Sequence, residues 1–243
     1  MLTRMFDVEP GGYPATVRSV LLGGGPAPRP LLEEAVQRGL PVLQTYGLTE
    51  TASQVATLAP VDALRKLGSA GLPLLSSTVR IEVDGSEAEV GEVGEIVVQG
   101  PTVCAGYLHR PDATAEAIRH GWLYTGDLGY LDAEGYLYVA DRRDDLIITG
   151  GENVYPAEVE SAILAFPGIE ECAVVGLPDT RWGHLVTAVI VGSVDSEALA
   201  EHLRGALAGY KVPRRIDSWT DALPRTASGK LQRHLVRQRL LEG

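Results

Sequence analysis

Three consecutive glycines, Gly23, Gly24 and Gly25, open the first of four segments whose residue types could bind a nucleotide or another anion. They follow a short apolar run and precede a predicted helix. Glycine lets the backbone approach a flat or anionic ligand closely, and a helix N-terminus favours negative charge. Because the segment GGGPAP matches neither common glycine-rich phosphate-binding motif, a tight turn stays an alternative.

The second segment, Gln44–Thr51, has the sequence QTYGLTET and lies at the carboxyl end of the next predicted strand. Ligands of open α/β sheets bind at that end of the strands. An aromatic ring can stack on a base, a hydroxyl can hydrogen-bond a phosphate, and a carboxylate can hold Mg²⁺. The alternative is a capped turn in which Thr49 is the N-cap residue.

The third segment, Tyr124-Thr125-Gly126-Asp127, is followed later by Asp141-Arg142. A carboxylate can accept hydrogen bonds from both hydroxyls of a ribose, and an arginine adds donors. The alternative interpretation is an ion pair on the surface.

The fourth segment runs from Pro224 to Lys230 and has the sequence PRTASGK. A lysine at the end of a small flexible loop can present a positive charge to a phosphate. The alternative is a lysine at the start of a helix.

Charge argues against nucleic acid as a partner. The 243 residues include 21 Lys and Arg against 32 Asp and Glu, a net charge of −11, which repels a polyanion. The end of the chain differs, because 9 basic and 3 acidic residues follow from Arg204 onward. This basic end could meet a nucleotide phosphate, or it could be a solvated charged surface.

The cysteines and histidines form no metal-binding or disulfide pattern. Cys104 and Cys172 occur without a CxxC motif, and the five histidines are scattered, so neither a disulfide framework nor a zinc site is expected. No apolar run reaches the ~18 residues of a membrane-spanning helix, and the first residues lack a signal peptide's apolar stretch. We expect a cytoplasmic protein with no membrane span.

Periodicity predicts two kinds of β-structure in the first part of the chain. Strands at Val17–Leu22 and Pro41–Tyr46 flank a helix that begins near Pro28, which is typical of a parallel α/β layer. Beyond Gly68, closely spaced strands and Gly turns indicate a small antiparallel sheet or barrel. These strands are expected at Thr78–Val83, Glu95–Gln99, Trp122–Tyr124 and Tyr136–Ala140.

The last hundred residues predict a compact α+β domain. Asp195 is a plausible N-cap for a helix that carries Leu199, Leu203 and Leu207. The other elements expected are a helix at Pro156–Phe166, strands at Cys172–Gly176 and Leu185–Val191, and a closing helix at Leu231–Leu240. The predicted architecture is a partial α/β sheet with a small β-barrel subdomain over residues 1–141, a hinge at 142–144, and a mobile α+β lid domain over 145–243.

The order of the motifs resembles the C-terminal part of the adenylate-forming enzymes. That superfamily includes acyl-CoA synthetases, luciferases and nonribosomal adenylation domains. Within it, QTYGLTETASQVATL, LGSAG and LIITGGENVYPAEVE are most similar to the ligases that join coenzyme A to o-succinylbenzoate in menaquinone synthesis. The motifs that carry the wider resemblance are GGGPAP, QTYGLTET, GEIVVQGP, GWLYTGDLGYLD, DRRDDLIITGGENVYPAEVE and PRTASGK.

The resemblance implies nucleotide contacts in the first two segments. The backbone of Gly23–Gly25 and the ring of Tyr46 would flank the adenine. Thr49 would bind the phosphates, and Glu50 would help to hold Mg²⁺.

The resemblance also assigns the later segments. Asp127 would bind the ribose hydroxyls with help from Arg142, and Asp144 would be the hinge on which the small domain turns. Gly150, Gly151, Glu152 and Asn153 would line the pantetheine tunnel. Lys230 would bridge the carboxylate of the acid and the α-phosphate of ATP.

The implied activity is an ATP-dependent acid–CoA ligase, with ATP, Mg²⁺ and coenzyme A as reactants. Attack of a carboxylate on a phosphate joins two anions, so a lysine and a metal ion suit the reaction. The family's phosphate-binding loop should precede Gly23, and Met1–Leu22 does not contain it. We therefore expect a fragment that lacks this loop. The fragment either forms a homo-oligomer or acts together with the missing half as a separate polypeptide.

Three alternatives stay open. The chain could be a non-catalytic or split-enzyme partner that binds a nucleotide. It could act on another acyl or aryl acid. An amino-acid-activating domain of a peptide synthetase is less favoured, because the chain stops 13 residues after Lys230 and a carrier domain would normally follow.

Overall fold

The computed structural model describes residues 2–8, 13–25, 27–227 and 229–242. The chain divides into two compact units, residues 1–143 and 144–243, and each is described by itself. Arg142 and Arg143 belong to the first unit; the hinge at 142–144 stays a prediction.

The first unit begins with the predicted strand–helix–strand layer. Strands β1 and β2 pair in parallel, and β3 and β4 continue the sheet antiparallel in the order β1-β2-β3-β4. The elements are α1 (Leu2–Val8), β1 (Val20–Leu22), α2 (Arg29–Gln37), β2 (Val42–Leu48), β3 (Ser53–Thr57) and β4 (Leu72–Pro73). Pro30 lies in the first turn of α2, where proline is tolerated.

The second sheet of this unit is antiparallel and open, a half-barrel. Its strands follow the order β10-β9-β7-β5-β6, and β8 pairs with β9. The elements are β5 (Thr78–Val83), β6 (Ser86–Glu87), β7 (Gly94–Gln99), α3 (Pro111–Ala117), β8 (Ile118–Arg119), β9 (Trp122–Leu131) and β10 (Leu137–Arg142). The predicted two-residue turn at Asp84-Gly85 is confirmed, with φ of 50° and 79°.

Strand β9 is seven residues longer than predicted, because it does not end at Tyr124 but continues through Gly126 and Gly129. A Cβ on Gly129 would lie 2.4 Å from the carbonyl oxygen of Tyr138 in β10. Glycine here allows the neighbouring backbone to approach and does not end the strand.

The two sheets of the first unit share a core. Tyr46, Val55 and Ala56 from the first sheet pack in one cluster with Ile96 and other apolar residues of the second. This packing fixes β2 relative to β7, β9 and β10, so residues far apart in sequence become neighbours.

The second unit is one sheet covered by helices on both faces. The sheet order is β12-β11-β14-β13, with β15 parallel to β14. The elements are β11 (Ile147–Thr149), β12 (Glu152–Val154), α4 (Pro156–Leu164), β13 (Ile169–Asp179), β14 (Gly183–Gly192), α5 (Ser196–Ala206), β15 (Arg215–Trp219) and α6 (Arg233–Glu242). Among the described residues, no helix is long and apolar enough to cross a membrane.

Alternate residues of β13 enter two different cores. Cys172 and Val174 pack with α4 and α5, whereas Ala173 and Val175 pack with α6. The strand is therefore apolar at consecutive positions. Asp195 caps α5 as predicted, since its Oδ1 accepts hydrogen bonds from the N–H groups of Glu197 and Ala198.

Candidate functional site

The carboxyl ends of β1 and β2 lie side by side, so the first segment, with Gly23–Gly25, is next to the second segment, Gln44–Thr51. Leu22 pairs with Gln44, so Gly23 and Thr45 follow at the same edge of the sheet. A Cβ on Gly23 would lie 2.8 Å from Cγ2 of Thr45, which explains the glycine there. Gly24 and Gly25 are exposed and offer open backbone; Pro26 lies outside the described residues.

Tyr46, Asp127 and Arg142 form one cluster, in which the tyrosine and the carboxylate are buried and the arginine is exposed. The Tyr46 hydroxyl donates a hydrogen bond of 2.8 Å to Oδ2 of Asp127, and Nε of Arg142 lies 3.0 Å from Oδ1 of the same carboxylate. Asp127 is 6% exposed and Tyr46 is 8% exposed. Burial, and then the Asp127 charge, raises the pKa of Tyr46 far above its ordinary value. The ion pair predicted as an alternative exists, but the carboxylate is buried.

Local hydrogen bonds hold the strand segment that carries Asp127. Its N–H donates to Oγ1 of Thr125, and the N–H of Gly126 donates to Oε1 of Glu95. Nη1 of Arg143 donates to the other oxygen of Glu95 at 3.0 Å. Sequence reasoning missed Glu95 as a support; a carboxylate within the apolar strand GEIVVQ was the available signal.

The segment Thr49–Thr51 is a short 3₁₀ turn. The interpretation with Thr49 as the N-cap is wrong, because the N–H of Leu48 donates to Oγ1 of Thr51 instead. Thr49 is exposed, so its hydroxyl faces solvent. Ala52 and Ser53, directly after the turn, have φ of 57° and 152°, which is strained backbone for residues with a side chain.

Glu50 could contribute to a magnesium site together with substrate phosphates. Its Oε1 accepts a hydrogen bond of 2.8 Å from the hydroxyl of Tyr107. In the part of the chain that the structure describes, no group of three or more His, Cys, Asp or Glu side chains could hold a metal by itself. Mg²⁺ commonly binds through one or two carboxylates plus the phosphates of a nucleotide, so the residues present fit that ion.

Gly150 and Gly151 form a tight turn in the second unit. Thr149 pairs with Glu152, and the two glycines have φ of 60° and 88°, a conformation that favours glycine. The N–H of Gly150 donates to the Trp182 carbonyl at 2.8 Å. Glu152 and Asn153 follow as exposed residues of β12.

Asp144 and Asp145 begin the second unit and differ in their surroundings. Asp144 is exposed. Oδ2 of Asp145 accepts a hydrogen bond of 2.9 Å from Arg233, which also pairs with Glu160. Residue 145 is therefore fixed to the second unit, directly beside the position predicted as the hinge.

Lys230 has a fixed backbone and an exposed side chain. Its N–H donates to Oγ1 of Thr226 at 3.1 Å, and its carbonyl accepts from the N–H of Thr226 at 2.8 Å. Arg225 donates to the Gly229 carbonyl and pairs with Glu171. These hydrogen bonds hold the described residues of the segment, Arg225, Thr226, Gly229 and Lys230, which was predicted to be a flexible loop. Ser228 lies outside the described residues. The alternative of a lysine at a helix start is wrong, because α6 begins at Arg233.

The structure brings several predicted residues together within the first unit. Gly23 adjoins Thr45, Tyr46 contacts Asp127 and Arg142, and Glu50 lies four residues beyond Tyr46 on the same segment. Gly24, Gly25 and Thr49 also belong to the first unit. The predicted positions in the second unit are Asp144, Gly150, Gly151, Glu152, Asn153 and Lys230.

Two family descriptions match the chain. The AMP-binding enzyme family matches residues 1–108, and the AMP-binding enzyme C-terminal domain matches residues 158–230. A 2-succinylbenzoate–CoA ligase from Geobacillus sp. (strain WCH70) is 56% identical over 98% of this chain and 49% of its own length. The corresponding ligase of Bacillus mycoides (strain KBAB4) is 52% identical over 98% and 50%.

Solved structures show the same similarity. The o-succinylbenzoate CoA synthetase of Bacillus subtilis in complex with the acyl-adenylate intermediate OSB-AMP has a TM-score of 0.91 and 49% identity, over 97% of this chain and 49% of that one. Its complex with ATP and magnesium has a TM-score of 0.88. The chain spans about half the length of the curated relatives it matches.

Proposed function

The chain belongs to the AMP-binding enzyme family, and we propose that it acts in an ATP-dependent acid–CoA ligase that forms an acyl-adenylate and then a thioester. The acid we propose is o-succinylbenzoate, since relatives that are 56% and 54% identical over the matched half of their length carry this activity in their names. The observation that carries the proposal is the Tyr46–Asp127–Arg142 cluster, whose carboxylate is buried. Tyr46 lies on β2, at the edge of the sheet that also holds the open glycine backbone after β1.

The first unit supplies the nucleotide contacts in this proposal. Each carboxylate oxygen has two acceptor positions, so Asp127 can accept ribose hydroxyls while Tyr46 and Arg142 hold its orientation. Gly24 and Gly25 leave room for a base against the backbone. Thr49 presents its exposed hydroxyl to the phosphates.

Adenylation is assisted by positive charge in the proposed mechanism. The acid's carboxylate attacks the α-phosphorus, and pyrophosphate leaves with the bond electrons. Lys230 supplies an ammonium group that offsets the repulsion between the two anions. Glu50 would hold Mg²⁺, which neutralises phosphate charge when bound.

Thioester formation uses the second unit in a different way. The thiol of coenzyme A attacks the acyl carbon of the adenylate, and AMP leaves. We assign the wall of the pantetheine channel to the turn Gly150-Gly151 with Glu152 and Asn153. The left-handed turn is compact and exposes backbone, which suits a narrow channel.

The proposal is tested with a joined enzyme, in which the amino-terminal half of the Bacillus subtilis relative precedes this chain in frame. We expect pyrophosphate exchange into ATP that depends on o-succinylbenzoate, and thioester formation when coenzyme A is added. Benzoate and fatty acids are the comparison substrates and test the alternative of another acid. A folded joined enzyme that catalyses no exchange with any of these acids contradicts the proposal.

Small molecules are the partners we propose: o-succinylbenzoate, ATP and coenzyme A, whose use supports a cytoplasmic location. The amino-terminal half acts either on the same polypeptide or in trans. Mixing the two halves as separate polypeptides distinguishes these cases, since exchange in the mixture supports the trans arrangement.

A further inference from the structure

Glu50 is held at two points by a segment more than fifty residues away. The N–H of Cys104 donates to the Glu50 carbonyl at 2.7 Å, and the Tyr107 hydroxyl donates to Oε1 of Glu50 at 2.8 Å. One bond fixes the backbone of Glu50 and the other fixes its carboxylate. Both contacts lie within the first unit.

Tyr107 is itself anchored. Its N–H donates to Oγ1 of Thr114 at 2.9 Å, and that hydroxyl donates to the Arg110 carbonyl at 2.9 Å. The preceding residue must be glycine, because a Cβ on Gly106 would lie 2.5 Å from Cγ2 of Thr114. The phenol is therefore a donor on a constrained backbone, which reduces the entropy lost when the hydrogen bond forms.

The hydrogen bond has a chemical consequence for Glu50. A phenol donates one hydrogen bond, so it engages one carboxylate oxygen and leaves the other for a cation.

We propose that Tyr107 is a positioning residue for magnesium-bound ATP: it orients the Glu50 carboxylate so that Oε2 faces the ion. This inference rests on the proposed function. Nothing in the motif QTYGLTET points to Tyr107, since the contact arises from the packing of the loop before α3 against the 3₁₀ turn.

The test measures how much magnesium strengthens ATP binding to the joined enzyme. Calorimetry compares ATP with excess Mg²⁺ and ATP with a chelator. In Tyr107→Phe we expect the magnesium-dependent gain in affinity to fall about threefold to tenfold, the range of one hydrogen bond. Affinity without magnesium should stay unchanged. Tyr210→Phe, an exposed tyrosine of the second unit, is the matched control.

A double variant separates positioning from folding. If Tyr107 acts through Glu50, Tyr107→Phe adds no further loss in a Glu50→Gln background. Equal magnesium-dependent gains in wild type and Tyr107→Phe overturn the inference and leave the proposed function standing. A wild-type joined enzyme that binds no ATP overturns the proposed function and this inference with it.

Discussion

At the scale of single residues, the site depends on side chains and glycines that the fold constrains for different reasons. Gly47 and Gly23 are needed for packing, because added Cβ atoms would lie 1.9 Å from the Ser53 carbonyl oxygen and 2.8 Å from Cγ2 of Thr45. Gly25 has no such neighbour within 4 Å. No neighbouring atom of the protein requires a glycine at position 25. This is expected where a ligand lies directly against the backbone.

Gly25→Ala tests this interpretation. We expect AMP affinity to fall severalfold, because the new methyl group occupies the space proposed for the base, while the free energy of unfolding changes by less than about 0.5 kcal/mol. Gly209→Ala, also without neighbours within 4 Å, is the control and should leave AMP affinity unchanged. Calorimetry and urea unfolding provide the two readouts. Equal AMP affinity in Gly25→Ala and wild type contradicts the assignment.

The motifs indicated the residues that we propose bind ligands, but not the residues that support them. Tyr46, Asp127 and Arg142 lie in recognisable segments, and the structure places them in contact. Glu95 and Tyr107 were missed, because each acts through a partner more than thirty residues away. A local pattern contains no signal for a contact that depends on how sheets and loops pack.

At the scale of elements, charged clusters fasten segments that sheet pairing does not hold. The ammonium of Lys66 lies 2.6 Å from carboxylates of both Asp132 and Glu134, at the turn between β9 and β10. It also lies 4.6 Å from the centre of the Tyr136 ring. Lys66 thereby ties the irregular chain before β4 to the β9–β10 hairpin.

The Lys66 cluster predicts a defined acid dependence. Lys66 lowers the pKa of Glu134. At Asp132 burial raises the pKa, but the hydrogen bonds from Lys66 and from the backbone N–H groups of Tyr136 and Glu134 together lower it. A carboxyl group with a depressed folded pKa stabilises the protein above its unfolded pKa, and this contribution is lost as pH falls through the folded pKa. The pH range over which this stabilising contribution is lost therefore lies below about pH 4.5.

Lys66→Met should remove this contribution. We expect lower protection of the β9 and β10 amides in hydrogen exchange near pH 7, and a smaller further loss on acidification to about pH 3 than in wild type. Lys211→Met, which removes an ion pair with Glu158 in the second unit, is the control. Parallel acid profiles for Lys66→Met and wild type contradict the account.

In the second unit, Arg233 links α6 to two other elements. It pairs with Glu160 of α4, which is 8% exposed, and with Asp145 at the start of the unit. Arg233→Met leaves Glu160 buried without its partner, so we expect a loss of about 3 kcal/mol in the free energy of unfolding. Arg237→Met, on the exposed side of the same helix, should change it by less than about 0.5 kcal/mol. Equal losses by urea unfolding contradict the role of Arg233.

Element boundaries show where sequence patterns work and where they do not. Asp195 and the apolar residues Leu199 and Leu203 predicted α5 well, because capping and helical periodicity are local properties. Leu207, which was predicted to lie in this helix, directly follows its last residue, Ala206, and has an extended backbone. Strand β9 was predicted to end at Tyr124, but it continues through Gly126 and through Gly129, where the backbone of β10 approaches closely. The added residues pair with β7 and β10, and a local window of sequence contains no signal for that pairing.

At the scale of the whole molecule, the two units carry different parts of the proposed chemistry. The first unit holds the glycine backbone, the Tyr46–Asp127–Arg142 cluster and Glu50, and the second holds the Gly150-Gly151 turn and Lys230. The order of motifs along the chain predicted both the family and the fold class, which the comparisons confirm. The hinge at 142–144 and the individual site roles stay predictions.

The most direct test of the account compares the two half-reactions in Lys230→Ala of the joined enzyme. We expect acid-dependent exchange of pyrophosphate into ATP to fall at least a hundredfold, because the ammonium offsets charge in that step. Thioester formation from preformed acyl-adenylate should stay within about threefold of wild type. Arg237→Ala removes one positive charge from α6 and should change neither rate. Equal loss of both half-reactions in Lys230→Ala, or full retention of exchange, contradicts the assignment of adenylation chemistry to Lys230.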